Sequence, residues 1–576
     1  MSAGSSRGRA AGLAVLLAAA IGMSLAVAAP AAAAGTDRYV AVSGSDAEND
    51  CTDASAPCRT IQYAVLQADS GDTIHIGAGS YDESVQIRMS LTLLGAGTSG
   101  ASRTSVTGDG ADAGITIDGT DTDGAPDVTI GSLDVSHVAG ASGVSVDAAT
   151  LVLEASTVVD NDEEGLRVTG TSASATVQDS SVSGNLDEGI LVEGDASAHL
   201  VRSSVDDNAR GGVVVLNGSA TIDTSTLDGN LGAGTVAAAA SATVAVTDST
   251  ISNTDPFSDG VPDYYGAAVL VLPGGAATVT GSTLDGNTGQ GVLVLETGTA
   301  SVSASTIAGT EPGQDDAIPS GGATKTGQGG SLTLTATIVG DNVAPNCSGT
   351  VGDGGYNLSD TASCGFSATG SISGGTASLA NLAENGGPTK TRLPAKTGDA
   401  VDRIPSGTAG CASDATDQRG EPRLQGSGCD IGAVELGQPP LVVTPSVLPQ
   451  GTVGQPYSTT LQASGGLGAP YTFALADGSS LPDGLTLSAS GVISGTPTAA
   501  GTTSFTVAVD DPTFVPLTIV IAPATAPAAL AESGADIPVT GLLGAGGIAV
   551  LLGIVLLLAF ATRRAGDDGP TERASH

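Results

Sequence analysis

The sequence predicts an all-β protein: a right-handed parallel β-helix solenoid, then a small Ig-like β-sandwich, then one C-terminal transmembrane helix. Three observations carry this. Asn161, Asn185, Asn208, Asn230 and Asn253 follow one another at steps of 24, 23, 22 and 23 residues, with Asn287 after a longer gap. Leu441 to Ala522 reads as short alternating strands between Gly/Pro turns. An uncharged apolar run, Leu542 to Ala561, is followed by Arg563 and Arg564.

A fixed period filled with Val, Thr, Ser and Gly marks a solenoid. Its segments lack apolar residues at i, i+3, i+4 and i+7, which excludes helical repeats. Four residues past most of the Asn stands a Gly (Gly165, Gly189, Gly212, Gly234, Gly291), and a strand of period two follows, such as Gly189-Ile-Leu-Val. Coils of 22 to 24 residues with such strands fit a parallel β-helix, each coil adding one strand to each of several sheets. Asn161, Asn185, Asn208, Asn230, Asn253 and Asn287 are then expected to stack at one corner, their amides bonded from coil to coil. The plainer alternative is that Asn stands there because it tolerates left-handed turns.

Composition bounds the function. The chain has 576 residues and a formal charge of −41, which disfavours nucleic acid and anionic membrane surfaces as partners. Aromatic residues make up only 2%, so the core must be aliphatic, as a solenoid's is, and an aromatic-walled pocket is not expected.

In chain order, residues 1–34 read as a secretory signal: Arg7 and Arg9, an apolar stretch from Leu13 to Val27, then small residues. An uncleaved N-terminal anchor is the alternative. The β-helix with its two caps is assigned to 35–436. It opens with Tyr39-Val-Ala-Val-Ser-Gly-Ser-Asp, Cys51, Cys58 and a short helix presenting Ile61, Ala64, Val65 and Ala68, then Gly71-Asp-Thr-Ile-His-Ile. An amphipathic helix suits an open solenoid end, where bare strand edges would template aggregation. It closes with Asp417-Gln-Arg-Gly-Glu-Pro-Arg and Gly428-Cys-Asp-Ile-Gly-Ala-Val-Glu.

These two ends resemble the secreted bacterial β-helix proteins of the choice-of-anchor Q group, over about Thr36 to Leu436. The resemblance implies a surface-exposed β-helix of the pectin-lyase-like type with a variable anchor. It supplies no catalytic residue. Six cysteines in a secreted chain suggest disulfides, and local spacing favours Cys51–Cys58, Cys347–Cys364 and Cys411–Cys429 among fifteen connectivities. With four His and no C-x-x-C pair, no metal site is assigned.

Residues 437–522 form the second unit. Leu481-Pro-Asp-Gly-Leu-Thr-Leu with Ile493-Ser-Gly-Thr-Pro resembles the Ig domain of bacterial surface proteins, where the resemblance implies a stalk. Residues 523–536 are a Pro/Ala linker. The end, 537–576, resembles a sortase sorting signal of Gram-positive bacteria: a motif at 537–541 (Ile537, Pro538, Val539, Thr540, Gly541), a span at 542–561 and a tail at 562–576. The resemblance implies sortase and peptidoglycan as partners and a wall-anchored location. Ile537 in place of Leu and the acidic tail depart from the pattern, and a permanent single-pass membrane anchor is the alternative.

Acids recur beside the repeated Asn: Asp162, Glu163 and Glu164; Asp187 and Glu188; Asp206 and Asp207. Acids at equivalent turns are what a solvated solenoid face looks like. A stacked column could also hold calcium, so the cofactor expectation is none, with calcium possible. A hydrolase would need two closely placed carboxylates. The nearby bases Arg167, Arg202 and Arg210 read as isolated, and no catalytic residue is assigned. The outward positions of the post-Gly strand, taken as Arg167, Leu191, Val214, Val236, Ala268 and Leu293, form an apolar stripe, either an interaction patch or a surface covered by a loop or by Thr376 to Leu436.

The excess of about eleven residues between Asn253 and Asn287 is placed at Thr254 to Tyr265. Insertions project from one face of a solenoid, often the binding face. Asp255, Phe257, Asp259, Asp263, Tyr264 and Tyr265 are the candidate ligand residues, with aromatic faces for sugar rings and carboxylates for hydroxyls or calcium. The alternative is that the aromatics fold inward. The expected function is a surface adhesin or structural protein binding glycan or protein, with a polysaccharide lyase or glycoside hydrolase as rival.

Overall fold

The computed structural model describes residues 35–110, 112–120, 124–256, 266–312, 324–326, 329–343, 345–437, 442–464, 471–476, 478–509 and 513–524. The signal segment, the sorting signal with its apolar span, and the candidate loop beyond Pro256 lie outside these residues. Among the described residues no helix is long and apolar enough to cross a membrane.

The described residues between 37 and 373 wind into a parallel β-helix of three sheets. Sheet A has thirteen strands, from Asp37–Val40 to Val351–Asp353, sheet B thirteen, from Gly79–Tyr81 to Ile372–Ser373, and sheet C eleven, from Val85–Ile87 to Cys347–Ser348, counted among the described residues. One coil runs Thr150–Glu154 in A, Thr157–Val159 in B and Leu166–Thr169 in C. Side chains alternate, so Leu151, Leu153, Val158, Leu166 and Val168 all point into one aliphatic core. The helix Ile61–Gln67 plugs the open N-terminal end through Ile61, Ala64 and Val65, with Thr60 capping it by accepting from the Tyr63 N–H.

Both corners flanking sheet B are built from a left-handed residue followed by a stacked polar one. Before B the left-handed residues include Ala155, Asp179, Arg202 and Thr224, and after B they include Asp160, Asp207 and Asn253. The expected ladder follows the second corner. Asn161, Asn185, Asn208 and Asn230 are fully buried. Each Nδ2 donates to the Oδ1 of the next, at 2.9, 2.8 and 2.9 Å. Asn253 is a correction. It is exposed in the left-handed position itself, and buried Thr254 takes the ladder place, its N–H donating to Asn287 Oδ1. The tolerance of Asn for left-handed backbone placed it one residue early.

The recurrent Gly also acquires a cause. A Cβ on Gly165 would stand 2.6 Å from Asn185 Nδ2, and one on Gly189 would stand 2.7 Å from Asn208 Nδ2. The glycine lets each coil close onto the ladder amide of the next.

Residues 376–436 form a return segment that folds back over the outer face of sheet B. Gln418 inserts its amide among Thr250, Thr283 and Thr389, donating to Thr250 Oγ1 at 3.0 Å and accepting from Thr283 Oγ1 at 2.6 Å. Arg392 Nε lies 2.6 Å from Asp285 Oδ1. The closing motif is a buried network. Arg419 grips Asp417 through Nε and Nη2, Asp417 also accepts from the Glu435 N–H, and Glu435 accepts from the Asp430 N–H. All three expected disulfides are present.

The second unit has short strands between turns, as expected, among them Tyr457–Thr460, Phe473–Leu475, Leu485–Leu487, Val492–Gly495, Gly501–Val509 and Thr513–Ala522. Its own core includes Leu461, Phe473, Ile493, Phe505, Val507 and Ile519.

Candidate functional site

Two places on the solenoid gather polar chemistry. The first is the corner between sheets B and C. Of the expected acids, Glu164, Asp187 and Glu188 come together, each offering a carboxylate oxygen within 4.8 Å of the others. Asp162, Glu163, Asp206 and Asp207 stand outside this group; Asp162 instead accepts from the Gly140 N–H. The grouping follows from the register, because Gly165 N–H donates to the Glu188 carbonyl and so stacks adjacent coils at this point. Burial, with Asp187 beside it, pushes the Glu188 carboxyl up to about 7.

The arginines are not isolated. Arg167 bridges Glu164 at 3.3 Å and Glu193 at 2.8 Å, Arg210 lies 3.3 Å from Asp187, and Arg202 pairs with Asp179. Two guanidiniums already engage Glu164 and Asp187. A calcium site needs six to eight oxygens, so this donor set fits that ion poorly. The arrangement does fit a proton donor, Glu188, held next to a second carboxyl.

The apolar stripe needs two corrections. One extra residue between Asn230 and Thr235 slides the strand after it, and a one-residue slip reverses every side chain. The register lines up Arg167, Leu191, Val214, Ala237, Leu270 and Leu293; the slip puts Val236 in the core and accounts for Ala237, whereas Ala268 and Val269 both join the core and leave the outward place to Leu270. The stripe is also no exposed patch. Leu191, Ala237, Leu270 and Leu293 are buried, with Val214, Leu272 and Leu295 packed against this cluster. The return segment covers sheet B, not this stripe.

The second place is a groove that sequence reasoning missed. Across four coils, sheet B and the corner before it line an open groove of about 510 Å³. Thr98 and Pro388 of the return segment also line it. In register along its floor stand Thr157, Ser181, Ser204 and Thr226, all half-buried. Its rim carries Arg202, whose Nε and Nη2 donate to the two oxygens of Asp179 at 2.8 and 2.7 Å. Beneath the corner lies a serine ladder: Ser156, Ser180, Ser203 and Ser225 N–H groups each donate to the next Oγ, at 3.0 to 3.2 Å. The signal for it was the Ser/Thr pair ahead of each Asn, where Ser bonds inward and Thr faces out.

Of the candidate loop, Asp255 is described. It is exposed, its N–H donates to the Asn230 carbonyl, and it bridges to Leu231. Phe257, Asp259, Asp263, Tyr264 and Tyr265 lie outside the described residues.

Residues 142–307 match the family described as "Right handed beta helix region", and residues 439–522 match the family described as "Putative Ig domain". No curated protein matches the sequence. Among solved structures, pectate lyase Pel9A is 14% identical, covering 70% of this chain and 97% of its own, with a TM-score of 0.42. The catalytic unit of a GH87 alpha-1,3-glucanase from Streptomyces thermodiastaticus is 17% identical, covering 50% and 65%, with a TM-score of 0.30. DFA-IIIase from Arthrobacter chlorophenolicus in complex with DFA-III is 11% identical, covering 52% and 94%, with a TM-score of 0.28.

Proposed function

We propose that this chain is a cell-surface binding protein, an adhesin or structural surface component. In this reading its β-helix presents a binding groove to an extracellular glycan or protein. The Ig-like unit serves as a stalk, and the motif Ile537 to Gly541 hands the chain to sortase for attachment to peptidoglycan on a Gram-positive cell. The observation that supports binding is the groove itself. It is open and lined mostly by Ser and Thr, and its floor is a regular set of groups able to donate and accept hydrogen bonds. Glycan and protein arrays probed with the purified full-length protein test this. Binding that Ser181→Tyr abolishes supports the reading, and array binding indifferent to that variant rejects it.

A second reading has its own observation. Glu188, held at about 7 beside Asp187 and Glu164, has the poise of a general acid. On that reading the chain is a surface-attached polysaccharide lyase or glycoside hydrolase. Release of reducing or unsaturated ends from polysaccharides, lost in Glu188→Gln, would select it.

A further inference from the structure

Resting on the binding reading, we infer that the groove on sheet B takes a single strand of neutral polysaccharide laid along the solenoid axis. The hydroxyl column in its floor does not stop at Thr226. It continues in register through Thr250, Thr283 and Thr306, which are fully buried beneath the return segment. The molecule thus shows how this column recognises what lies on it. Thr250 Oγ1 donates to the Lys390 carbonyl at 2.6 Å, Thr283 Oγ1 donates to Gln418, and Thr306 Oγ1 accepts from the Ala433 N–H at 3.1 Å. The same hydroxyls donate at one coil and accept at another. Ser181, Ser204 and Thr226 are the uncovered length of that interface, and Thr157, whose Oγ1 donates to Asp134 Oδ1 at 2.6 Å, offers its lone pairs at the end.

Three properties specify the occupant. Sheet B spends its backbone amides along the stack, so the floor offers a ligand side-chain hydroxyls, one set per coil at about 4.8 Å. A sugar chain presents groups of the same dual character on every ring, and it matches such a column in either direction. A peptide strand presents amides at about 3.4 Å per residue, out of step with the column. The return segment accordingly meets it at single points, Lys390, Gln418 and Ala433, and not as a strand.

The lining is also electrically balanced. Its charged residues are Arg202 and Asp179, joined to each other. In a chain of net charge −41, an anionic polymer would be repelled on approach, and a neutral groove gives it nothing in return. Ser181 and Ser204 Oγ lie 3.0 Å apart, and a serine hydroxyl both donates and accepts, so the pair keeps capacity for a ligand. The planar Arg202–Asp179 pair adds donors and acceptors at the rim for vicinal hydroxyls.

The test uses the full-length protein against immobilised dextran, mannan, laminarin and arabinoxylan, with polygalacturonate as the anionic polymer and gelatin as the extended polypeptide. Three variants are compared. Ser181→Ala with Ser204→Ala removes two hydroxyls and keeps the space. Ser181→Tyr fills the groove. Thr278→Ala, on the outer face of sheet A, is the control. Melting curves establish that each is folded. The expected result is binding to at least one neutral polysaccharide, weakened roughly tenfold in the double variant, as the loss of two hydrogen bonds implies, abolished in Ser181→Tyr and unchanged in Thr278→Ala. Neutral-polysaccharide binding that survives Ser181→Tyr overturns the inference. So does the absence of binding to all four. Groove-dependent binding to gelatin or polygalacturonate alone also overturns it, while leaving the chain a binding protein.

Discussion

Replacing Asn208 with Ala probes the device that holds the coils in register. Asn208 is fully buried, and its side chain makes four hydrogen bonds. Nδ2 donates to Asn230 Oδ1 at 2.9 Å and to the Val182 carbonyl at 3.2 Å, while Oδ1 accepts from Asn185 Nδ2 at 2.8 Å and from the Asn185 N–H at 3.1 Å. Asn230 Oδ1 keeps the Asn208 N–H as a donor at 3.1 Å, and Asn185 Nδ2 keeps a bond to the Val158 carbonyl. The Asn185 N–H loses its bond, while the Val182 carbonyl, on a strand paired with Ser204–Asp206, loses a second donor. One orphaned buried group costs about 1–3 kcal/mol, so the loss is of that size. At about 2 °C per kcal/mol for a large domain, the melting temperature should fall by roughly 2–6 °C. Asn217→Ala is the control, since Asn217 is exposed and off the ladder; its shift should stay within about 1 °C. Differential scanning calorimetry of the full-length variants measures both. Equal shifts would refute the ladder as a source of stability.

Three further outcomes are expected. Gly189→Ala puts a Cβ 2.7 Å from Asn208 Nδ2 and 2.8 Å from the Gly212 carbonyl; it should destabilise by about 1–3 kcal/mol in denaturant titration, and a neutral result would remove the close-approach argument. Burial, with Asp430 nearby, raises the Glu435 carboxyl to about 8. A raised folded-state value means the folded form holds its proton longer, so the stability it confers is full below about 4.5 and is lost as pH rises towards 8; the fall in melting temperature over that range should be shallower in Glu435→Gln than in the wild type, and parallel curves would contradict this. Thr540→Ala should move the protein from the wall fraction to the membrane fraction of the cells, and wall-released wild-type chain retaining Arg563 would overturn sortase processing.

The solenoid was legible because its coils repeat the same local solutions: period-two strands, a buried Asn and a Gly that must lack a Cβ. What the period could not convey was where one residue was inserted. Asn253 satisfied the spacing to within a residue, yet it occupies the left-handed corner that Asn also favours, and Thr254 carries the ladder. The same kind of slip after Asn230 turned Val236 inward and Ala237 outward. The acid cluster was half visible. Neighbouring acids were apparent, but only the register brings Glu164 onto Asp187 and Glu188, and only the fold shows Arg167 and Arg210 answering them. The groove was hidden for a different reason. Ser and Thr in strands of this composition look like filler, and their role depends on where the return segment stops. Gln418 lies 168 residues from Thr250 in sequence, and no local pattern announces that contact.

The central proposal is that this surface binds a polysaccharide and does not cut it. The direct measurement is to incubate the full-length protein, Ser181→Tyr and Glu188→Gln with the immobilised polysaccharide panel, recording retained protein and released carbohydrate ends together. The account predicts retention by the wild type and by Glu188→Gln, no retention by Ser181→Tyr, and no release of reducing or unsaturated ends by any of them. Release of such ends by the wild type that Glu188→Gln abolishes would contradict it and make the carboxylate corner, not the groove, the working site of the molecule.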